Sequence, residues 1–383
     1  MAQQMSSKQR MLTAIEGKVP DRLPVTTHHI MPYFLKKYMA GITNDEFFDY
    51  FGLDPIHWMC PRIPDEKRNE YCHPDLGCYV ICSDNWQVKA EEISETQYKT
   101  VRYTIVTPKG NLSLVLQSNE MTTWVSEYLV KNKSDIDIIS EFMTMPVCDI
   151  SAVNKTAAEF GQKGLVRGHI CGFTLFGQPG CWQDACCLAG TEKMIMATYD
   201  DPKWVHEFLH IMQRRKVPFV QSLKGANFDI LELGGGDAST TVISPKIFND
   251  FVAPYDSELV RLAHQAGQKI AYHTCGGMMP ILEDIAAMDV DAMETFTPPD
   301  MGGDTDLAQA KERIGQKVCM IGGFDQFHHF LNCSEEETRA AVRRCFEQAG
   351  ENGGFIISPS DHFFDAEPEL IKAYADQARQ CTY

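Results

Sequence analysis

The segment KIAYHTCGGMMPILEDI, residues 269–285, ends an apolar stretch with two residues that could bind a metal. His273 and Cys275 are two positions apart, and because strand side chains alternate between faces, both point to the same side of a strand. A neutral imidazole and a thiolate are ligands for zinc or a similar ion. The competing interpretation is a buried thiol beside a hydrogen-bonded histidine, because an H-x-C spacing also arises by chance.

Two later segments could supply further ligands at the ends of neighbouring strands. Glu294 interrupts the apolar stretch DAMETF, where it could provide a third ligand. Asp361 and His362 follow the last apolar stretch, in SPSDHFF, and either could provide a fourth. We therefore predict a metal site formed by His273, Cys275 and Glu294.

Other polar and aromatic residues lie where predicted strands end. Glu232 lies within the apolar stretch ILELGGG and needs a partner, so structural pairing and function explain it equally well. Asp237 follows in GGGDAS, which lacks the G-x-G-x-x-G spacing of a dinucleotide site, and we predict no cofactor-binding residues there. The remaining candidates are predicted to bind a substrate, although each could be an ordinary loop or core residue: His28, His29, His169 and Phe296.

The elements that must position these residues alternate regularly from about residue 163 onward. Short apolar stretches such as FDILELGG, QKIAYHTCGG and GGFIISPSD are separated by helical segments, which predicts a parallel sheet. Six such units and a first strand in PDRLPVTTHHIMPYF approach the eight of a (β/α)8 TIM barrel; a doubly wound open sheet is the alternative. The barrel is favoured because nearly every predicted strand ends in polar or glycine residues, and in a barrel these ends converge on one mouth, where active sites lie.

Residues near 76–130 have a different character. The stretches GCYVICSDNWQVKA and QYKTVRYTIVTPKGNLSLVLQSN are rich in β-forming residues, and TPKGN is a plausible hairpin turn. This pattern predicts an antiparallel β insertion. We therefore expect residues 1–383 to form a single barrel domain that includes the insertion.

Composition narrows the class of protein. The 383 residues are 44% hydrophobic, and the formal net charge of −17 argues against nucleic acid or an anionic membrane as a partner. The sequence contains no run of about 18 apolar residues, so it predicts no membrane span. The first residues lack the apolar core of a secretory signal. Many of the 14 cysteines lie inside apolar stretches, as free thiols in a reducing compartment do. We expect a cytoplasmic protein, and the thiol content hints at an anaerobic cell.

Several of these segments resemble the uroporphyrinogen decarboxylase superfamily. The resemblance starts at RMLTAIEGKVPDRLPV and includes HTCGGMMPILEDI, DAMETFTPP, DTDLAQAKERIGQKVCMIGGFD and GGFIISPSDHFFDAEPE. It covers most of the chain, although the insertion fits only a subset of members, and it implies a (β/α)8 barrel. True decarboxylases carry a segment similar to RQAGRY just after the first strand. The corresponding THHIMPYFLKKY has no arginine, so little there would hold a substrate with many carboxylates.

The HTC segment resembles the zinc site of the corrinoid-dependent methyltransferases of this superfamily. His273 and Cys275 match that motif, whereas the place of its second cysteine falls at or next to Asp361. Two thiolates suit a zinc that activates a thiol; one thiolate with a carboxylate and an imidazole leaves a more Lewis-acidic ion, which suits an oxygen or nitrogen leaving group. With its insertion, the sequence most resembles the methyltransferase component of anaerobic O-demethylases.

The resemblance implies a reaction. Zinc bound by the predicted ligands would polarise the oxygen of an aryl methyl ether, and the methyl group would pass to the Co(I) corrinoid of a separate protein, because the chain lacks a D-x-H-x-x-G cobalamin motif. His362 or Asp237 would protonate the departing phenolate, and Asp361 completes the catalytic candidates. The alternatives are a methyltransferase for methylated amines or thiols, a decarboxylase-like enzyme, and a non-catalytic tetrapyrrole-binding barrel.

Overall fold

The computed structural model describes residues 4–27, 29–60, 62–63, 82–94, 96–143, 146–172 and 178–383. His28 and residues 76–81 of the predicted insertion lie outside these ranges. The strands are, in chain order, β1 (Ile56–Trp58), β2 (Gln87–Ile93), β3 (Lys99–Thr107), β4 (Gly110–Ser118), β5 (Thr123–Glu127), β6 (Leu165–His169), β7 (Ile230–Gly234), β8 (Ile270–His273), β9 (Ala292–Thr295), β10 (Cys319–Phe324) and β11 (Phe355–Pro359).

The helices lie between these strands and at both ends of the described chain. They are α1 (Ser7–Ile15), α2 (Pro32–Tyr38), α3 (Asn44–Phe51), α4 (Asp135–Phe142), α5 (Ile150–Phe160), α6 (Cys181–Ala189), α7 (Thr191–Asp200), α8 (Pro202–Ser222), α9 (Pro245–Ile247), α10 (Ala253–Gln265), α11 (Leu282–Ala287), α12 (Leu307–Ile314), α13 (Gln326–His329), α14 (Glu335–Ala349) and α15 (Pro368–Gln380). In the part of the chain that the structure describes, none of them is both long and apolar enough to cross a membrane.

Seven strands form one parallel sheet in the order β1-β6-β7-β8-β9-β10-β11. Helices lie in the crossovers, so the predicted alternation of strands and helices after residue 163 is confirmed. The sheet is curled, because Arg167 on β6 contacts Glu294 on β9 although two strands separate them. The curl brings side chains from one face of several strands together.

Residues 24–26 are hydrogen-bonded to the edge strand β11 and to Asp54, which lies two residues before the other edge strand, β1. Val25 forms a single parallel bridge with Ile357, and the Asp54 N–H donates to the Val25 carbonyl at 2.7 Å. The predicted first strand is confirmed only as this single bridge at Val25: Pro24 has no N–H to donate to a ladder, and the strand that pairs with β6 is the three-residue β1. The prediction of a (β/α)8 barrel is confirmed only in part: the described residues form a curled parallel α/β sheet of seven strands.

A second, antiparallel sheet has the order β2-β3-β4-β5, as predicted for the insertion. Its central hairpin turns where Thr107 of β3 pairs with Gly110 of β4, within the predicted TPKGN turn. One face carries buried apolar side chains that belong to the main hydrophobic core, including Val88, Ile105, Leu112 and Leu114. The insertion thus packs on the rest of the protein through an apolar face.

Helix α1 closes the end of the parallel sheet where the strands begin. The hydroxyl of Ser6 accepts from the Gln9 N–H, and the Gln9 side chain accepts from the Ser6 N–H, so the first turn of α1 is capped at both positions. The buried side chains of α1 pack against the first residues of several strands. This cluster comprises Met11, Ala14, Ile15, Leu165, Ile230, Ala271, Ala292, Cys319, Ile321 and Ile356.

Within the described ranges, the cysteines are mostly free thiols, as predicted. Cys171, Cys186 and Cys319 are buried and free. Cys82 differs, since it is disulfide-bonded.

Candidate metal centre

Four neighbouring strands place charged or titratable side chains on the inside of the curled sheet. These are Arg167 on β6, Glu232 on β7, His273 on β8 and Glu294 on β9. His273 and Glu294 are paired in register on adjacent strands, which places the two side chains side by side. Apolar strands therefore end in a polar cluster.

Arg167 joins the carboxylates of this cluster. Its Nη1 donates to Glu294 Oε2 at 2.9 Å, its Nη2 donates to Glu294 Oε1, and Nη2 also donates to Glu232 Oε2 at 2.9 Å. The side chains of Arg167 and Glu294 are each only 1% exposed. Isolated buried charges would be strongly unfavourable, and the bidentate pairing compensates them.

His273 completes a compact group of potential ligands. Its Nδ1 lies 3.1 Å from Glu294 Oε1, and ligand atoms of Glu232, His273 and Glu294 all lie within 4.8 Å of one another. Burial disfavours the charged imidazole, but contacts with Cys275 and Glu294 outweigh it and raise the pKa of His273 well above its ordinary value. Burial opposes ionisation of Glu294 too, yet Arg167 and His273 hold the pKa of that carboxyl well below its usual range.

Cys275 follows β8 and lies beside both His273 and the loop after β7. Gly236 in that loop is so close that a Cβ placed there would lie 2.8 Å from Cys275 Sγ. A side chain at position 236 would therefore collide with the thiol. Gly236 thus allows the backbone to approach Cys275.

An aromatic stack adjoins the cluster. The guanidinium of Arg167 lies over the Trp58 ring, 4.4 Å from its centroid, and the Trp58 ring stacks on His29 with 4.9 Å between centroids. Burial lowers the pKa of His29 to about 4, so its ring is neutral at pH 7. His29 is therefore near the predicted centre, as a neutral group.

The other predicted substrate-binding residues lie along the same sheet. His169 ends β6 in register with Glu232, and its Nδ1 lies 3.0 Å from the Ile170 carbonyl. Phe296 directly follows β9 and is fully buried. Its carbonyl accepts from the Ser360 hydroxyl, 3.4 Å away.

Asp237 follows Gly236 and bonds to helix α6 and to the start of α7. Its Oδ2 accepts from Gln183 Nε2 at 2.8 Å and from the Thr191 hydroxyl at 3.2 Å. Burial raises the pKa of Asp237 above its ordinary value although both of these hydrogen bonds act in the opposite direction. The carboxyl is consequently easier to protonate than an exposed aspartate.

Asp361 and His362 lie beyond the end of β11 and bond to each other. Asp361 Oδ1 accepts from the His362 N–H at 2.7 Å and lies 2.8 Å from the His362 Nδ1. Both side chains are partly exposed, at 35% and 40%. Neither belongs to the compact ligand group found among the described residues.

The sequence patterns missed Arg167 and Trp58. Arg167 interrupts the apolar stretch GLVRGHICG in the same way that Glu232 interrupts ILELGGG, and that signal was sufficient to single it out. Trp58 lies in the short strand β1, which has no pattern of its own. The Arg167 guanidinium lies over the Trp58 ring and also bonds to the predicted ligand Glu294.

The donor set fits a metal ion of intermediate softness. The imidazole and the two carboxylates of the compact group are zinc ligands, and so is the Cys275 thiol, which contacts His273 but does not belong to that group. Arg167 occupies one lone pair on each Glu294 oxygen and His273 Nδ1 lies against Oε1, so the second lone pair of Oε2 is the one best placed for a metal. Glu294 could therefore bind Arg167 and a metal together, as carboxylates around metal ions commonly do.

Comparison with known proteins identifies relatives of this region. The family model for uroporphyrinogen decarboxylase (URO-D) matches residues 155–381, which contain β6 to β11. A methylated-thiol–coenzyme M methyltransferase from Methanosarcina mazei is 26% identical over 195 residues, which are 50% of this chain and 49% of that protein. The chain thus aligns with about half the length of this curated relative.

The overall fold also has a known counterpart. A methyltransferase from Methanosarcina mazei superimposes with a TM-score of 0.61, covering 98% of this chain and 99% of that one, at 14% sequence identity. At this identity the likeness concerns the fold, which therefore extends over nearly the whole chain.

Proposed function

We propose that this chain, which belongs to the uroporphyrinogen decarboxylase (URO-D) family, is a zinc-dependent methyltransferase. Its methyl donor would be a methoxylated aromatic compound, and the acceptor would be the Co(I) corrinoid of a separate protein. The observation that carries this proposal is the buried group of Glu232, His273 and Glu294, with Cys275 beside it, at the end of the parallel strands.

His273, Cys275 and Glu294 would hold the metal, and Glu232 is close enough to join them. When bound, zinc supplies Lewis acidity, which stabilises negative charge on an oxygen leaving group by several kcal/mol. A donor set with a single thiolate and two carboxylates favours an oxygen over a sulfur leaving group. This supports an aryl methyl ether as the donor.

Arg167 would position the carboxylates. By bonding to both oxygens of Glu294, it fixes the plane of that carboxylate and keeps it ionised, as a ligand must be. It also compensates negative charge that would otherwise repel an electron-rich substrate. A decarboxylase would need free cationic groups to hold substrate carboxylates, and the charge of Arg167 is already compensated by Glu232 and Glu294.

The reaction must return a proton to the leaving group. The methyl carbon transfers without the electron pair of its C–O bond, which stays on oxygen as a phenolate. Asp237 is one candidate for the proton donor, because burial raises its pKa. The Asp361–His362 pair is the other candidate, and it is open to solvent.

Substrate contacts would come from residues around the cluster. His29 and His169 lie on the segment and strand next to Arg167 and Glu232, and Phe296 follows the strand that carries Glu294. We assign these three side chains to the walls around the aromatic ring; His28, which lies outside the described residues, stays a prediction for substrate binding. Residues 24–27 would take the place of an eighth strand in a (β/α)8 barrel, within one domain spanning residues 1–383 in the cytoplasm.

A second candidate function is methyl transfer from methylated thiols or amines. It is favoured by the 26% identity to a methylated-thiol–coenzyme M methyltransferase. Such an enzyme would share the metal site and differ in the pocket. The choice between donors is therefore experimental.

The test begins with metal content, measured by mass spectrometry on the wild type and on Cys275→Ser and His273→Ala. We expect about one zinc per wild-type chain and a loss of at least about tenfold in metal affinity in both variants. Cys333→Ser is the matched control, because Cys333 is also partly buried but contacts Thr338, away from the cluster. It should retain the metal.

Methyl transfer is then followed by the loss of cob(I)alamin absorbance with three donors: a methoxylated benzoate, trimethylamine and dimethyl sulfide. Turnover of the benzoate that falls at least about 100-fold in His273→Ala supports the proposal. Turnover of the amine or the sulfide alone would replace it with the second candidate. Absence of metal in the wild type after zinc supplementation would refute the Lewis-acid role.

A further inference from the structure

Two cysteine sulfurs lie in contact where β1 and β6 end. The Sγ atoms of Cys60 and Cys171 are 3.4 Å apart, and Cys60 Sγ lies 3.8 Å from the His169 carbonyl. The two residues are 111 positions apart in sequence; Cys60 follows β1 and Cys171 follows the adjacent strand β6. Neither is among the ligands assigned above, so the pair is separate from the proposed metal site.

Backbone contacts hold the two thiols in place. Trp58 pairs with Arg167, and the Met59 N–H donates to the Arg167 carbonyl at 2.9 Å, which fixes the end of β1 against β6. The Cys171 carbonyl accepts from the buried ammonium of Lys216 at 2.8 Å. The sulfurs are therefore kept close on both sides by ordered structure.

The surroundings of the two thiols are unequal. Cys171 is buried, at 2% exposure, whereas Cys60 is partly exposed. A hydrogen bond from Cys171 lowers the pKa of Cys60 to about 6. Burial acts in the opposite direction, whereas His169 and Arg62 add to the lowering. Burial raises the pKa of Cys171 well above its ordinary value. Cys60 is thus the nucleophilic thiol and Cys171 its protonated neighbour.

We propose that Cys60 and Cys171 form a reversible dithiol–disulfide pair that reacts with low-molecular-weight disulfides. A disulfide has an S–S distance of about 2.05 Å, so the sulfurs must approach by little more than 1 Å. Adjacent strand ends that are already hydrogen-bonded need no large rearrangement for this. The proposal concerns the thiols alone and stands or falls independently of the methyltransferase function.

The chemistry proceeds in two exchanges. The Cys60 thiolate attacks one sulfur of glutathione disulfide, forms a Cys60–glutathione bond and releases one glutathione thiolate. Cys171 then loses its proton and attacks the Cys60 sulfur, forming the Cys60–Cys171 bond and releasing the second glutathione. Two protein thiols are oxidised and one glutathione disulfide is reduced to two thiols, so electrons balance. Dithiothreitol reverses the sequence.

The pair is tested on the full chain, reduced under anaerobic conditions and freed of reductant. After incubation with glutathione disulfide and blocking of residual thiols with N-ethylmaleimide at low pH, the unreduced protein is digested and its peptides are identified by mass spectrometry. We expect a peptide pair joined through Cys60 and Cys171, and its loss after dithiothreitol treatment. A glutathione adduct that persists on wild-type Cys60, or unmodified Cys60 and Cys171, would overturn the proposal.

Variants separate the two exchanges. Cys171→Ala should stop the reaction at the glutathione adduct of Cys60, and Cys60→Ser should leave Cys171 unmodified because it is buried. Cys148→Ser is the matched control: Cys148 is a buried thiol near Cys60, and its loss should leave the Cys60–Cys171 disulfide unchanged. A disulfide between Cys60 and Cys148 in the wild type would contradict the assignment. The wild-type peptide map needs no variant to fold.

Discussion

Four of the parallel strands carry an apolar residue near their start and a charged or titratable residue two positions later. On β6, β7, β8 and β9, the residues Leu165, Ile230, Ala271 and Ala292 pack into the apolar cluster against α1. Two positions later the same strands carry Arg167, Glu232, His273 and Glu294. Because residues i and i+2 lie on one face of a strand, the apolar layer and the charged layer both face the inside of the sheet.

The difference separates stability from binding. The apolar layer gains stability from burial alone, without requirements on direction. The charged layer is tolerated only because its groups compensate one another, chiefly through Arg167, and that arrangement leaves His273 and both carboxylates within reach of a metal. The apolar layer can therefore keep the fold intact while the charged layer changes.

Replacing Arg167 should have the largest effect on the charged layer and on the free energy of unfolding. In Arg167→Met the carboxylates of Glu294 and Glu232 remain buried without their cation, which should cost about 3–5 kcal/mol in the free energy of unfolding, measured by urea denaturation. The double variant Arg167→Met/Glu294→Gln should recover part of this loss, because it removes the main uncompensated charge. Equal stability of the wild type and Arg167→Met would show that the cluster is not mutually compensated.

A substitution in the apolar layer should affect stability without affecting the metal. Met11 on α1 is fully buried against the strand starts, and Met11→Ala should cost about 2–5 kcal/mol in unfolding free energy. Zinc content of the folded protein should match that of the wild type. Loss of zinc in a variant that is still folded would mean that the two layers are coupled.

Asp256 allows a second comparison, between buried carboxyls with and without an adjacent guanidinium. Burial raises the pKa of Asp256 to about 6, although the Cys181 N–H, Lys216 and the Tyr272 hydroxyl oppose this, whereas Arg167 keeps Glu294 ionised. The folded pKa exceeds the ordinary value of 3.8, so this contribution to stability is complete below about pH 4 and is lost as the pH rises to 6.

The loss should amount to about 3 kcal/mol, from a shift of about two units at roughly 1.4 kcal/mol each. It is measured as the difference in unfolding free energy between pH 4 and pH 7. Asp256→Asn, which keeps an acceptor for the Cys181 N–H, should lack this part of the pH dependence. An unchanged pH profile in Asp256→Asn would assign the dependence to other groups.

Glu232→Gln should have the smallest effect on stability. Glu232 bonds to Arg167 through one oxygen, its buried side chain is 11% exposed against 1% for Glu294, and a glutamine oxygen can still accept that hydrogen bond. We expect about 1–2 kcal/mol in unfolding free energy. Zinc affinity should fall less than in Glu294→Gln, because Glu294 is in register with His273 whereas Glu232 is not. The reverse order would make Glu232 the principal carboxylate ligand.

Most of the parallel sheet was predictable because its strands are apolar stretches separated by amphipathic helices. The first strand was not, since Pro24 interrupts the ladder near Val25 and the three residues of β1 are too few to show a pattern. Within the candidate site, His273, Cys275 and Glu294 were predicted from their positions at strand ends; the structure groups His273 and Glu294 with Glu232, and Cys275 lies beside His273. Arg167 had an equivalent signal in its own strand, but its partners could not be read from it.

The sequence by itself determined the alternation of strands and helices, the antiparallel insertion and the closeness of His273 and Cys275, because each depends on residues close together along the chain. Only the tertiary structure decided that Arg167 pairs with Glu294, 127 positions away, and that Cys60 contacts Cys171. These contacts depend on the curl of the sheet and on which strands become neighbours. Both are set by packing over the whole domain, which local periodicity does not encode.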